Sequence, residues 1–257
     1  MVRNICYIVI TVLLFSGTKL LATEQDNSKE VFKTANGFYE DANYEEAIVL
    51  YKELLSQNHE SAVLYFNLGN AHFKINEIPA AILYYEKALK LDPIDQDIKF
   101  NLNLAGKKTV DKVELLPELF IVKWWNALIY AKSSDSWGWL CLQALFLSLL
   151  LFILFLSTQK IVLKKLGFYG GIVFIIIAMT SFILGQQQNE RINQQEYAIV
   201  FVPGVTVKSS PLDKGSKLFV IHEGTKVQVL ESSGEWKKIV LANGNLGWVK
   251  ANTLAII

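Results

Sequence analysis

Along the chain, three apolar stretches interrupt an otherwise mixed pattern of hydrophobic and polar positions. The first runs from Ile5 to Phe15 behind Arg3, and the other two lie past the midpoint. No charged residue occurs between Asp135 and Lys160, and none between Lys165 and Glu190. Each of these two runs is long enough to cross a hydrocarbon core of ~30 Å at ~1.5 Å per residue. A charge at mid-bilayer costs several kcal/mol, so two uncharged runs of this length predict a two-helix transmembrane hairpin. We place the spanning helices at residues 137–157 and 166–185, with a loop at 158–165 between them. That loop carries Lys160, Lys164 and Lys165 and no acid, which puts it in the cytoplasm by the positive-inside rule. Trp137, Trp139, Phe168 and Tyr169 suit interfacial aromatic belts, and Gly170-Gly171 permits close approach of the two helices.

The first stretch is too short to span a bilayer and has the shape of a secretory signal over residues 1–22. Cleavage after Ala22 and retention as a signal anchor are both compatible with it. Either way, the chain beyond residue 22 leaves the cytoplasm. The expected location is the inner (cytoplasmic) membrane, with both soluble modules on its extracytoplasmic or periplasmic side.

Between the signal and the hairpin the chain repeats itself at a period of 34 residues. Ala47-Ile48 recurs as Ala81-Ile82, Tyr51 as Tyr85, and Phe66-Asn67-Leu68 as Phe100-Asn101-Leu102. The best copy runs through Tyr65, Leu68, Gly69, His72, Ala81, Tyr85, Ala88 and Pro93. It matches the pattern of tetratricopeptide repeats, helix-turn-helix units, with Tyr65 in the Trp place and His72 in the Tyr place. This predicts an all-α module over 23–110, with repeats at 28–61 and 62–95 and a partial capping helix at 96–108. Gly69 and Ala81 let antiparallel helices close together, and Pro93 ends the second helix. By repeat geometry the concave face carries Phe32, Asn36, Tyr39, Phe66, Asn70, Phe73, Phe100 and Leu104. One reading makes this a groove for a partner, with Asn36 and Asn70 bonding to its backbone. The other makes the aromatics internal packing and the asparagines loop supports. The module holds 15 Asp and Glu against 10 Lys and Arg in residues 23 to 112, which points its partner towards a basic surface.

Residues 111–135 approach the hairpin. Pro117 and Glu118 suit a helix start, and Leu119, Phe120, Trp124, Trp125, Leu128 and Ile129 supply apolar surface. Two positions are open for this segment: in the headgroup layer as an interfacial helix, or docked on the repeats. Ser133 to Ser136 offer capping side chains for the first spanning helix.

From about residue 195 the pattern changes to short β-branched runs broken by turns, among them Thr206-Val207-Lys208-Ser209, Lys226 to Leu230, Trp236 to Leu241 and Asn243-Gly244. This predicts a compact all-β barrel over 195–257. The order resembles bacterial SH3 domains, which implies an SH3-like module that binds a ligand or the cell wall. Trp236 and Trp248 are its candidate ligand surface, with core filling or turn bracing as the other role for each.

Hydrophobic residues make up 52% of the chain, and the excess lies in the three apolar stretches. A net charge of +1 offers no electrostatic case for nucleic acid. Cys6 and Cys141 both lie in apolar runs, which suits neither a disulfide nor a metal site. His59, His72 and His222 are scattered; no phosphate-cradling loop, nucleophile elbow or zinc motif accompanies them, so no cofactor, metal or catalytic set is expected.

The order of parts, from signal through repeats, Trp-rich segment and hairpin to the SH3-like barrel, resembles the E-protein family of bacterial aerotolerance (Bat) operons. Val-Asp-Lys-Val-Glu near 110, Lys-Trp-Trp-Asn-Ala at 123–127, Leu-Gly-Phe-Tyr-Gly-Gly at 166–171 and Tyr-Ala-Ile-Val-Phe near 197 carry the likeness. The resemblance implies partners, namely membrane-anchored von Willebrand factor A proteins of the same operon, and a role in envelope or oxidative stress tolerance. The expected function is a non-enzymatic envelope scaffold working through its repeat groove. The alternative is an anchor that binds the wall, including peptidoglycan, or a ligand through its barrel.

Overall fold

The structure, a computed structural model, describes residues 28–112, 119–194 and 196–257. The expected signal, and the helix start expected at Pro117-Glu118, lie outside them. The chain divides into two compact units: one takes the chain up to Leu91 with Ile98–Thr109, the other Asp92–Asp97 with Val110–Ile257.

The first unit is helical. Helix α1 (residues 28–40), α2 (Tyr44–Ser56), α3 (Ala62–Lys74), α4 (Ile78–Leu91) and α5 (Gln96–Lys107) alternate in the manner of the repeat. Ser61 caps α3, its hydroxyl accepting from the backbone N–H of Leu64 at 3.1 Å. Ala35, Ala47, Tyr51, Leu64, Leu68 and Ala71 fill the space between the first two helix pairs. Gly69 is the tightest point. A Cβ there would stand 2.7 Å from the ring of Tyr85, and that ring cannot swing away because its hydroxyl donates to Asn70 at 2.7 Å. The turn into the second helix of each pair uses a left-handed residue, Ala42 at φ 60° and Asn76 at φ 63°. These two are 34 residues apart. Asn tolerates that conformation and Ala does not, at a cost of about 1 kcal/mol.

His72 is buried at 3% exposure, stacks on Tyr84, and its Nδ1 lies 2.6 Å from Glu77 Oε2, within hydrogen-bond distance. Burial pulls its pKa below the usual histidine value, although the Glu77 contact opposes this. The folded chain therefore holds His72 neutral where the unfolded chain would protonate it. Its contribution to stability is complete above the ordinary histidine pKa and declines as pH falls from there towards the lower folded value.

The second unit contains α6 (Phe120–Ile129), the long helices α7 (Ser134–Ser157) and α8 (Ile161–Gln194), and a seven-stranded sheet. Helix α7 starts three residues before its expected span and ends where expected, whereas α8 starts five residues early and runs on to Gln194, because nothing in 186–194 breaks it. The connection shrinks to Thr158–Lys160, which puts Lys164 and Lys165 on the first turns of α8. Ser133 caps α7, accepting from the backbone N–H of Ser136. The two helices form an antiparallel hairpin along a seam of small residues. A Cβ on Gly167 would stand 2.7 Å from the Leu151 carbonyl and 2.8 Å from the Phe155 backbone nitrogen. Gly170 faces Leu151, Gly185 faces Trp137, and Ser148 donates to the Gly171 carbonyl at 3.1 Å. The expected closeness at Gly170-Gly171 is present, yet Gly167 is the tighter contact. Both helices are long and apolar enough to cross a membrane, and only 11% and 22% of their most apolar stretches are buried.

Helix α6 lies across the open end of this hairpin. The indole of Trp137 donates to the Ile129 carbonyl at 3.1 Å, that of Trp125 to Gln187 Oε1 at 3.1 Å, and Arg191 donates to Asn126. Ile129, Trp137 and Leu184 bury together beneath it. Its other side leaves Phe120, Ile121 and Trp124 in the open.

The sheet, in order β3-β2-β6-β5-β4-β1-β7, comprises β1 (Glu196–Val200), β2 (Gly204–Lys208), β3 (Lys217–His222), β4 (Lys226–Ser233), β5 (Trp236–Val240), β6 (Leu246–Lys250) and β7 (Leu254–Ile256), every recorded pairing antiparallel. Alternation sends Val207, Val227, Val229, Ile239 and Val249 inward to one core. Gly247 lets β6 press on β2, where any Cβ would collide with Val207.

Gly69→Ala is expected to destabilise the helical unit by about 1–3 kcal/mol through overpacking, and Ala42→Gly to stabilise it by about 1 kcal/mol; amide exchange of α3 and α4 reads both. The protection of these amides, corrected for the intrinsic exchange rate at each pH, should fall as pH drops below ~6.5, as expected for a histidine held neutral. His72→Gln should flatten that pH dependence.

Candidate partner-binding groove and barrel face

The first helix of each repeat presents one stripe, at i, i+3, i+4 and i+7, and the 34-residue register repeats it on α1, α3 and α5. Along this stripe lie the eight positions expected from the sequence. Two of them are engaged inside the helical unit. Asn36 Oδ1 accepts from Tyr51 Oη at 2.7 Å and from Asn67 Nδ2 at 3.1 Å. Asn70 Oδ1 accepts from Tyr85 Oη at 2.7 Å and from Asn101 Nδ2 at 2.8 Å. The two clusters are copies 34 residues apart, and each ties a helix to its own partner and to the next repeat. Phe32 and Phe66 tilt against Tyr51 and Tyr85 at 6.0 and 5.9 Å, again as copies. Burial raises the pKa of Tyr51 to about 12 and that of Tyr85 further still, so both stay donors at any physiological pH.

This revises the role expected of Asn36 and Asn70. Their carbonyl oxygens are taken up by the fold, and both residues are half-buried. Phe100 is 63% exposed, Phe66 and Phe73 are half-buried, and Tyr39 and Leu104 are half-buried beside them. Lys108 Nζ sits 4.5 Å from the centre of the Phe73 ring and donates to Asn76. At the α1 end an open pocket of about 610 Å³ is lined by Lys29, Phe32, Leu54, His59, Val63 and Leu64 among others. His59 Nε2 is buried there without a hydrogen-bond partner.

On the barrel, strand register brings the two expected tryptophans onto one face. Lys208, Trp248, Lys238 and Glu231 form one row across β2, β6, β5 and β4, and Lys250 opposes Trp236 beside it. Lys208 and Lys250 lie 5.1 and 5.6 Å from the Trp236 ring, and Lys238 lies 6.0 Å from Trp248. Asp213 pairs with Lys250 at 3.1 Å and Glu231 with Lys238 at 2.8 Å. The indoles are thus already packed with ammonium groups, and a stacking ligand would have to displace them.

Sequence reasoning missed Asp111. Its carboxylate accepts from the backbone N–H of His222 at 2.6 Å and from the Thr225 hydroxyl at 2.8 Å, and it contacts the His222 ring at 2.9 Å. It therefore clasps the β3–β4 turn from 111 residues away. Burial alone would raise its pKa, but these bonds outweigh that and hold it below the usual aspartate value. No local motif announces such a long-range contact. Among the described residues no group of three His, Cys, Asp or Glu is placed to hold a metal ion.

Comparison with known families identifies the modules. Residues 62–95 match the tetratricopeptide repeat, residues 35–76 the TPR repeat and residues 203–255 the bacterial SH3 domain. The chain thus contains tetratricopeptide repeats, which indicate protein partners, and a bacterial SH3 domain; modules of these kinds typically serve interaction and not catalysis. No curated protein matches it. Among solved structures, an NlpC/P60 family protein from Bacillus cereus ATCC 10987 shares 19% identity at a TM-score of 0.21 over 28% of this chain, which spans 23% of that protein's length. MamA shares 17% identity at a TM-score of 0.31, covering 69% of this chain and 86% of its own. At these scores neither carries an argument about fold or function.

Asp111→Asn is expected to loosen the β3–β4 turn at neutral pH, read as faster amide exchange at His222 and Thr225. In the parent chain that protection should persist above the ordinary aspartate pKa, ~3.9, and fade only as pH falls through the depressed folded value.

Proposed function

We propose that this chain is a membrane-anchored scaffold of the bacterial envelope that gathers protein partners in its repeat groove. The observation that carries this reading is the duplicated Tyr–Asn–Asn cluster. It locks α1, α3 and α5 side by side, with Phe32 and Phe66 half-buried and Phe100 exposed on them. A rigid, preformed groove of this kind binds without a large ordering cost.

The anchor is the α7–α8 hairpin, which crosses the inner membrane with its lysine-bearing end in the cytoplasm. Its exposed apolar side chains support this. The docking of α6 on the hairpin's open end favours the interfacial position for that helix over one on the repeats. Trp124 and Phe120 then face the headgroup boundary, where an amphipathic indole is favoured. No charged residue lies in the middle of either long helix, so the hairpin anchors and does not transport. The order of modules, and the four motifs that resemble the Bat E-protein family, support a place in an aerotolerance or envelope-stress complex with von Willebrand factor A-type membrane proteins. A wall-binding role for the barrel is the second reading, favoured by the shared face of Trp236 and Trp248 and opposed by the lysines already packed on their rings.

In-cell crosslinking of the full chain tests the proposal. Recovery of its partners is expected to drop severalfold with Phe66→Ala and Phe100→Ala together and to persist with Trp248→Ala. Partners that depend on Trp248 and not on the phenylalanines would transfer function to the barrel.

A further inference from the structure

Three hydroxyls within the two long helices are satisfied by helix backbone. Ser148 donates to the Gly171 carbonyl at 3.1 Å, Ser157 to the Ile153 carbonyl at 2.8 Å and Thr180 to the Ile176 carbonyl at 2.7 Å. Gln143 on α7 is different. It is exposed, and among the described residues it makes no hydrogen bond. Its amide carries two donors and an acceptor oxygen. Backbone N–H groups inside a helix are already bonded four residues back, so α7 offers that oxygen no donor. Depth makes this costly. The charges that bound the span, Asp135 and Lys160, stand ~37 Å apart along the axis, and a ~30 Å core centred between them puts Gln143 ~8 Å inside the hydrocarbon. Lipid tails cannot answer an amide there.

The surroundings of Gln143 are as particular as its depth. Trp139, Gln143, Phe146, Leu150 and Ile153 follow one another at spacings of four and three residues, and all five are exposed. That is the heptad seam of a left-handed pair of helices. It lies across α7 from Ala144 and Ser148, the buried side that meets α8. A lone polar residue in such a seam fixes register and strand number.

We propose that two copies of this chain pair in the membrane along this face of α7, each Gln143 bonded to its counterpart in the second copy. The inference goes beyond the scaffold reading and rests on its transmembrane anchor. Every copy inserts in the same direction, so the two α7 helices run parallel about an axis along the membrane normal, and Gln143 meets itself. The amide is its own complement, Nε2 of each donating to Oε1 of the other. Another membrane protein would need a polar group at the same depth and on a matching seam; a second copy always has both. The dimer carries two repeat grooves, so a partner with two binding segments is held by effective concentration as well as by contact.

The test uses the full chain with Cys6→Ser and Cys141→Ser, in native membranes. Oxidation is expected to join copies carrying Phe146→Cys or Leu150→Cys at least about fivefold more than copies carrying Leu145→Cys, which is exposed but off the seam. Energy transfer between copies labelled at Ser232→Cys then measures association in vesicles as protein is diluted with lipid. Gln143→Leu should raise the protein-to-lipid ratio at half association about tenfold, because leucine gains no more from a helix than from lipid tails. Gln143→Asn keeps the amide and should stay within about threefold of the parent. Equal crosslinking at positions 145 and 146, no transfer at any ratio, or indifference to Gln143→Leu overturns the proposal. So does a photo-crosslinker at position 143 that captures a different protein in cells and not a second copy. Alkaline carbonate separates this inference from the anchor. A chain that stays in the membrane pellet without pairing refutes the dimer alone, whereas a chain released to the supernatant refutes the anchor.

Discussion

Everything in the second unit's helical part depends on how closely α7 and α8 approach at Gly167. With the Leu151 carbonyl and Phe155 backbone at contact distance of an absent Cβ, only glycine closes the hairpin at its connected end. The seam then continues through Gly171, Ala178, Ser181 and Gly185 to the open end, where α6 closes over Trp137 and Leu184. Because the helices pair so tightly with one another, their outward side chains have no protein to cover them. Small-residue seams of this sort suit a medium in which burial of apolar surface drives nothing and packing decides. The chain also enters and leaves the hairpin at one end, a consequence of having two spans and not one.

The helical module solves a different problem, that of holding three helices in register without a large core. Its solution is a polar cluster copied at the repeat period. One asparagine oxygen receives a tyrosine from its own pair and an asparagine from the next repeat. Leaving either donor without its acceptor would cost the desolvation of a half-buried group, so the helices settle in one relative position. The same arrangement fixes the first helices at one spacing from repeat to repeat.

Much of this was legible in the sequence, for reasons that differ by element. The period of 34 exposed the repeats because each copy must meet identical packing constraints, and Gly69 against Tyr85 is such a constraint. Charge-free length exposed the two long helices, and the alternation around Val207, Val227 and Ile239 exposed the sheet. Register alone puts the eight expected positions on α1, α3 and α5. What register could not tell was that Asn36 and Asn70 spend their oxygens internally, since that depends on where a tyrosine 15 residues later points its hydroxyl. Asp111 was invisible for a related cause: its partners, His222 and Thr225, come near only after folding.

The most direct test of the account is the sidedness of the hairpin. With Cys6 and Cys141 replaced by serine, single cysteines at Gln57, Thr158 and Ser232 are exposed in turn to an impermeant maleimide. Labelling of Gln57→Cys and Ser232→Cys without disruption of the inner membrane, and of Thr158→Cys only after it, is the predicted result. Labelling of Thr158→Cys from outside, or of the other two on opposite sides, would contradict it.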